Sequence, residues 1–188
     1  MCWVVALTAC TTRSIETLPL AEDVDLTRFM GHWYVIAHVP TYLERNAWDA
    51  SEHYSQGPDG SIETTFTYRD GSFAAERQSM TPRGFVEPGG DNAVWTMQFI
   101  WPFRADYRIA WLNADHAETI IARERRDYAW IMARQPVLTK ARYCELVKKV
   151  VAMGYEEAEL RHVPQPGSER GPVCEAFENT DARSERPR

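Results

Sequence analysis

Between Gly31 and Arg134 apolar side chains recur at every second position in one short run after another, and turn-forming residues separate the runs. A period of two fits a pleated strand and misfits a helix. The clearest run sets Trp95, Met97, Phe99 and Trp101 on one face, with Val94, Thr96, Gln98 and Ile100 on the other. Ile62, Thr64, Phe66 and Tyr68 alternate the same way, as do Tyr107, Ile109 and Trp111, then Tyr128, Trp130, Met132 and Arg134. Trp33, Val35 and Ala37 share a face of the opening run, which follows Gly31. Pro58-Asp59-Gly60, Arg69-Asp70-Gly71, Pro88-Gly89-Gly90-Asp91-Asn92 and Arg125-Arg126-Asp127 are turn sequences. The pattern predicts strands over 31–38, 51–55, 62–68, 73–86, 93–101, 107–112, 119–123 and 128–134. Eight consecutive antiparallel strands with short connections predict an all-β, up-and-down barrel.

Helical signals are few. Asp25 caps a short turn that feeds the first strand. Thr139 is the predicted N-cap of one long helix, with Tyr143, Val147, Val150 and Val151 as its apolar stripe and Gly154 as its stop. This C-terminal α-helix is expected to pack outside the barrel, followed by a ninth short strand over 159–163. Residues 25–164 thus form the predicted domain. Residues 165–188, rich in proline, glycine and charge, are expected to be a disordered tail.

The net charge of -6 and the absence of a long basic run argue against a nucleic-acid partner. No stretch of 18 apolar residues exists to span a bilayer as a helix. Seven tryptophans, eight tyrosines and seven phenylalanines are enough either to line a cavity or to fill a β-rich core. His32, His38, His53, His116 and His162 are scattered and read mostly as surface residues. Cys2, Cys10, Cys144 and Cys174 form no metal-binding spacing, so neither metal nor cofactor is expected. Spacing alone leaves open whether Cys144 and Cys174 pair in an oxidising compartment.

At the N-terminus a short apolar run leads into Leu7-Thr8-Ala9-Cys10, which resembles the bacterial lipobox. Residues 1–10 then read as a lipoprotein signal ending at the lipidated Cys10, and 11–24 as a polar tether. No lysine or arginine precedes Cys10, so a start further upstream is expected. Thr11 in place of aspartate points by the sorting pattern to the outer membrane.

Gly31-x-Trp33 opening eight strands, Arg134 after the eighth, and a following helix resemble the lipocalin family. The resemblance is strongest to bacterial outer-membrane lipocalins, relatives of apolipoprotein D. It is carried by Gly31-His32-Trp33-Tyr34-Val35-Ile36-Ala37, by Trp101-Pro102-Phe103 with Asp106-Tyr107, and by Arg126-Asp127-Tyr128-Ala129-Trp130-Ile131-Met132-Ala133-Arg134. It implies that Trp33 and Arg134 meet at the closed end of the barrel. At the place of the family's Thr-Asp-Tyr motif stands Ala114-Asp115-His116, in which only the aspartate is kept.

The resemblance puts Trp33 inside. Residues of its parity are then the candidate cavity lining: Val35, Ala37, Phe66, Tyr68, Trp95, Met97, Phe99, Ile109, Trp111, Trp130 and Met132. It further implies a fatty acid such as palmitate, or a lysophospholipid, carried or stored at the outer membrane by a lipid-anchored, periplasm-facing protein. Arg45, Arg69 and Arg104 are candidates to meet the headgroup. A filled, purely structural barrel is the competing reading. An enzyme finds little support, because the chain has no G-x-S-x-G elbow and no Cys-His spacing suited to a nucleophile. A homodimer is left open.

Overall fold

A computed structural model describes residues 17–174. Its elements run α1 (Leu26–Phe29), β1 (Gly31–Val39), β2 (Ala47–Gln56), β3 (Ile62–Asp70), β4 (Arg77–Met80), β5 (Arg83–Val86), β6 (Val94–Ile100), β7 (Phe103–Leu112), β8 (Glu118–Ala122), β9 (Ala129–Ala133), α2 (Lys140–Ala152) and β10 (Arg161–His162). The strands pair antiparallel in the order β1-β2-β3-β5-β6-β7-β8-β9, and β9 pairs back onto β1, which closes the sheet. The predicted strand over 73–86 is two pieces. Pro82 lies between β4 and β5, has no amide hydrogen to give a ladder, and breaks the stave there. β4 pairs with β3, and β5 with β3 and β6. Counting β4 and β5 as one stave gives the eight-stranded barrel, with β10 added along β1.

Gly31 starts β1 at φ +93°, a backbone conformation that L side chains rarely adopt. Asp25 Oδ1 accepts from the Arg28 amide at 3.1 Å and caps α1, which lays Phe29 under the barrel. On α2, Thr139 caps through the Arg142 amide, and Gly154 ends the segment at φ +94°.

Bulges decide which side chains face inward. In β1 the ladder pairs Val35 with Met132 but Ala37 with Ile131, so one extra residue enters and the parity reverses. In β7, Ile109 pairs with Ile121 but Trp111 with Ile120, with the same effect. Beyond the bulges, His38 and Leu112 point inward, while Ala37 and Trp111 face out. The outer face is itself buried. Ile36, Ala37, Ile120, Ala129, Ile131 and Ala133 pack under Tyr143, Leu146, Val147 and Val150 of α2. Alanines let the helix approach closely, and strands covered on both faces lose their alternation.

Residues 17–24, expected as the end of a tether, lie on the barrel instead. Leu18 and Val24 are buried, and the Ala21 amide donates to the Ile109 carbonyl at 2.8 Å. The expected disordered tail likewise begins inside the fold. Gln165 is buried and its amide donates to the carbonyls of Val35 and Ala50 at 2.9 and 2.8 Å, both at irregularities of their ladders. The bulges leave acceptors unpaired, and Gln165 satisfies them. Cys174 is joined to Cys144 of α2 by a disulfide, with Cα atoms 5.5 Å apart. Cys10 and the remainder of the proposed signal and tail lie outside the described residues.

Candidate functional site

One end of the barrel is sealed. Arg134 lies over the Trp33 ring, its guanidinium carbon 3.7 Å from the centroid. The same guanidinium donates to the carbonyls of His32, Arg28, Phe29 and Met30 at 2.6–2.9 Å, and its Nε to that of His116 at 3.3 Å. Burial pulls the Arg134 pKa down to about 10, partly offset by Tyr54, so the group stays charged at neutral pH. Trp33 Nε1 donates to the Phe29 carbonyl at 2.8 Å. In the 113–118 loop, Asn113 rather than Asp115 organises the turn, accepting from the amides of Ala117 and Glu118; Asp115 is exposed.

Above this seal the interior is packed with rings. Phe29 contacts Trp33, Tyr54 and Trp95 at centroid distances of 5.0–5.6 Å, and Tyr107 stacks on Trp95 at 5.6 Å. On the other wall Phe66 stacks on Tyr68 and on Trp130, each at 5.3 Å. Two acids enter this interior. The Glu52 side chain faces inward, paired across the sheet with Trp33 and Phe66, and its Oε2 has no hydrogen-bond partner among the described residues. Burial pushes its carboxyl well above the usual range, against the pull of the Tyr54 hydroxyl. Glu44 Oε2 accepts from Trp130 Nε1 at 3.1 Å and lies 3.7 Å from His38 Nδ1. Tyr54 and Tyr107 share a hydrogen bond, and burial raises both phenols and that of Tyr128 well above their ordinary value.

Towards the other end the packing opens into a cavity of about 370 Å³. Met80, Met97, Phe99, Ala105, Tyr107 and Tyr128 form its apolar wall, with Thr41, Tyr42, Glu44, Asp106 and Arg123 beside them. Its volume lies at the small end of ligand sites. Arg123 pairs with Asp127 through Nη1 at 3.4 Å, while its buried Nε has no hydrogen-bond partner among the described residues.

Of the eleven lining candidates, Met97 and Phe99 line this cavity. Val35, Phe66, Tyr68, Trp95, Ile109, Trp130 and Met132 face inward within the packed interior. Ala37 and Trp111 are corrections, because the bulges turn both to the helix side, where Lys149 and Arg142 lie over the Trp111 ring at 5.0 and 5.5 Å. His38 and His116 are buried, unlike the surface histidines expected. Arg69 is engaged with Asp49 at 3.2 Å and with the Ala75 carbonyl. Tyr107 and Tyr128 were within reach of the parity rule that selected Ile109 and Trp130. Glu44 lies outside the strands, where no periodicity marks it, while Arg123 shares the parity of Ile121 in the predicted strand over 119–123 and falls one residue past the end of β8.

A closed antiparallel barrel, sealed at one end and open over an apolar cavity at the other, defines the class of barrel proteins that bind one small hydrophobic molecule. The chain belongs to the lipocalin family: its residues 24–165 match the lipocalin-like domain. It is 24% identical over 149 residues to the outer membrane lipoprotein Blc of Escherichia coli K12, covering 79% of this chain and 84% of that one. To apolipoprotein D of Bos taurus it is 27% identical over 126 residues, covering 64% and 66%. Among solved structures, insecticyanin of the tobacco hornworm Manduca sexta superposes with a TM-score of 0.61 at 15% identity, covering 79% and 84%, and shows the same fold.

Proposed function

We propose that this protein binds one single-chain lipid, a fatty acid or lysophospholipid, and carries or stores it at a bacterial outer membrane. The observation that carries this reading is the open cavity walled by Met80, Met97, Phe99, Tyr107 and Tyr128. Methionines and ring faces conform to a flexible acyl chain. Burying about twelve methylenes at roughly 0.8 kcal/mol each gives on the order of 10 kcal/mol. Association costs of at least about 4 kcal/mol leave a micromolar-class complex, loose enough to deliver its cargo. The ring-packed depth of the barrel, with Glu52 buried beneath it and Glu44 at its edge, offers no cation among the described residues to an anionic group, so the chain enters tail first. The headgroup then meets Arg123 at the wall, with Arg45 and Arg104 as exposed alternatives.

The outer-membrane assignment draws support from the relatives named outer membrane lipoproteins and from the lipobox-like Leu7-Thr8-Ala9-Cys10. Acylation at Cys10 would anchor the domain facing the periplasm. Replacing Cys10 with serine then releases the protein from the membrane fraction, and unchanged fractionation rejects the anchor.

A filled, structural barrel is the second reading, favoured by the stacking of Phe66, Tyr68 and Trp130 in the interior. Titration with a fluorescent fatty acid separates the two. The cavity reading expects saturable binding at one site, weakened at least about tenfold by Phe99→Arg, whose position at the exposed rim spares the fold. Binding that is absent, or unaltered in the variant, contradicts it.

A further inference from the structure

The open end carries an apolar surface that folding does not require. Phe99, Ile100, Trp101 and Phe103 are 51%, 72%, 81% and 75% exposed around the turn between β6 and β7, and Tyr42 is 80% exposed. These are five of the eight exposed large apolar side chains among the described residues; Leu20, Val137 and Val173 are the others, at unrelated places in the chain. Phe99 and Tyr42 both line the cavity, so the apolar surface and the cavity mouth are one feature. The turn itself is Trp101-Pro102, flanked by the paired Ile100 and Phe103, where hairpins ordinarily place asparagine and glycine. Concentrated apolar exposure of this kind marks an interaction site.

The chemistry of the surface selects the partner. Trp and Tyr are enriched at the membrane–water interface, where their rings lie at headgroup level, and Phe buries at the boundary with the acyl chains. Cations accompany them. The Arg45 guanidinium lies 5.3 Å from the Tyr42 ring centroid, and that of Arg104 lies 3.7 Å from the Phe85 ring centroid. In a chain of net charge -6, arginines placed at this rim complement anionic headgroups. The shape agrees, since a two-residue turn at a hairpin tip projects as a narrow wedge.

We propose that the Ile100–Phe103 tip and Tyr42 insert into the interface of an anionic bilayer and set the cavity mouth against its acyl boundary. An acyl chain then passes from the bilayer past Phe99 to Met97 without crossing bulk water. The inference rests on the lipid-binding reading above. Insertion is shallow and reversible, because only a few side chains enter, and it is weakened by salt. With a lipid anchor elsewhere on the chain, even weak insertion orients the mouth towards the membrane.

The test uses the full chain carrying Cys10→Ser, so that no acyl anchor contributes. It is sedimented with vesicles of phosphatidylethanolamine and phosphatidylglycerol. The proposal expects co-sedimentation that falls at least about tenfold in Trp101→Ser/Phe103→Ser. Arg104→Gln lowers it about fivefold at low salt and has little effect at high salt. Equal sedimentation of parent and lip variant overturns the proposal, as does a parent that ignores vesicles. A lip variant that turns a dimer into a monomer, without changing vesicle binding, assigns the surface to a second copy instead. Fluorescent fatty acid titration without vesicles keeps the two readings apart. A lip variant that still takes the fatty acid but has lost vesicles supports insertion. A parent that binds vesicles through its lip but takes no fatty acid retains insertion and sinks the lipid-cargo reading.

Discussion

Arg134 holds its guanidinium 3.7 Å over the indole of Trp33 and, in the same plane of donors, ties four carbonyls from Arg28 to His32 at 2.6–2.9 Å. The last strand of the barrel is thereby fastened to the turn that precedes the first. Only a planar fork supplies donors in several directions while its face lies on a ring.

Arg134→Lys is therefore expected to be far from conservative. It keeps the charge but loses the fork, and lowers stability by about 2 kcal/mol in urea denaturation. Lipid affinity is unchanged, because the cavity lies at the other end. A loss of less than about 0.5 kcal/mol would show that the seal contributes little.

Glu52 gives the barrel a pH dependence. Its carboxyl, desolvated among rings, is held well above the ordinary glutamate value of 4.5. Between that value and its raised folded one, the native state keeps a proton that the unfolded chain releases. This contribution to stability is present in full below about pH 4.5 and is lost as pH rises through the folded pKa. Glu52→Gln mimics the protonated acid and removes that decline. Denaturation curves for both proteins at several pH values check it; parallel curves contradict the buried, protonated acid.

The Cys144–Cys174 disulfide closes a 30-residue separation. Chain-entropy reasoning gives such a loop about 3–4 kcal/mol of stabilisation. Cys174→Ser is expected to lower the unfolding free energy by that order, and a reductant should do the same to the parent protein. An unchanged denaturation midpoint with reductant present is the contrary result.

The bulges in β1 and β7 divide the aromatic and methionine residues between two faces. Trp111→Ala, on the helix side under Lys149 and Arg142, is expected to cost about 2 kcal/mol of stability and leave lipid affinity untouched. Met80→Arg, at the cavity wall and half-buried, should do the reverse: affinity falls at least about tenfold, with stability within about 1 kcal/mol. Calorimetry and fluorescent fatty acid titration on both variants read the pair. Loss of binding in Trp111→Ala would contradict the face assignment.

The barrel was legible in the sequence because its strands keep period two for most of their length and turn residues separate them. Parity carried along a strand is only as good as the strand is regular. One inserted residue near Ile36 reversed Ala37 and His38, and another near Ala110 moved Trp111 outward and Leu112 in. Nothing local in the sequence marks those bulges, since both faces of these strands are apolar: one meets the barrel interior, the other α2. Parity also says nothing of height. Trp95 and Phe99 share a face, yet Trp95 is buried among Phe29, Tyr54 and Tyr107 while Phe99 stands at the rim. Glu44 reaches the cavity from a connection, where no period exists to read, whereas Arg123 continues the inward parity of Ile121 one residue past β8. The packing of Gln165 was hidden for a different reason: it answers carbonyls that only the folded bulges expose.

Native mass spectrometry of the purified full chain, with lipid extraction of the same sample, tests the lipid-binding account most directly. One fatty acid or lysophospholipid per barrel is expected, either co-purified or taken up on addition, and lost in Met80→Arg. A barrel that is empty as purified and still refuses added fatty acid and lysophospholipid would contradict it and leave the filled, structural barrel standing.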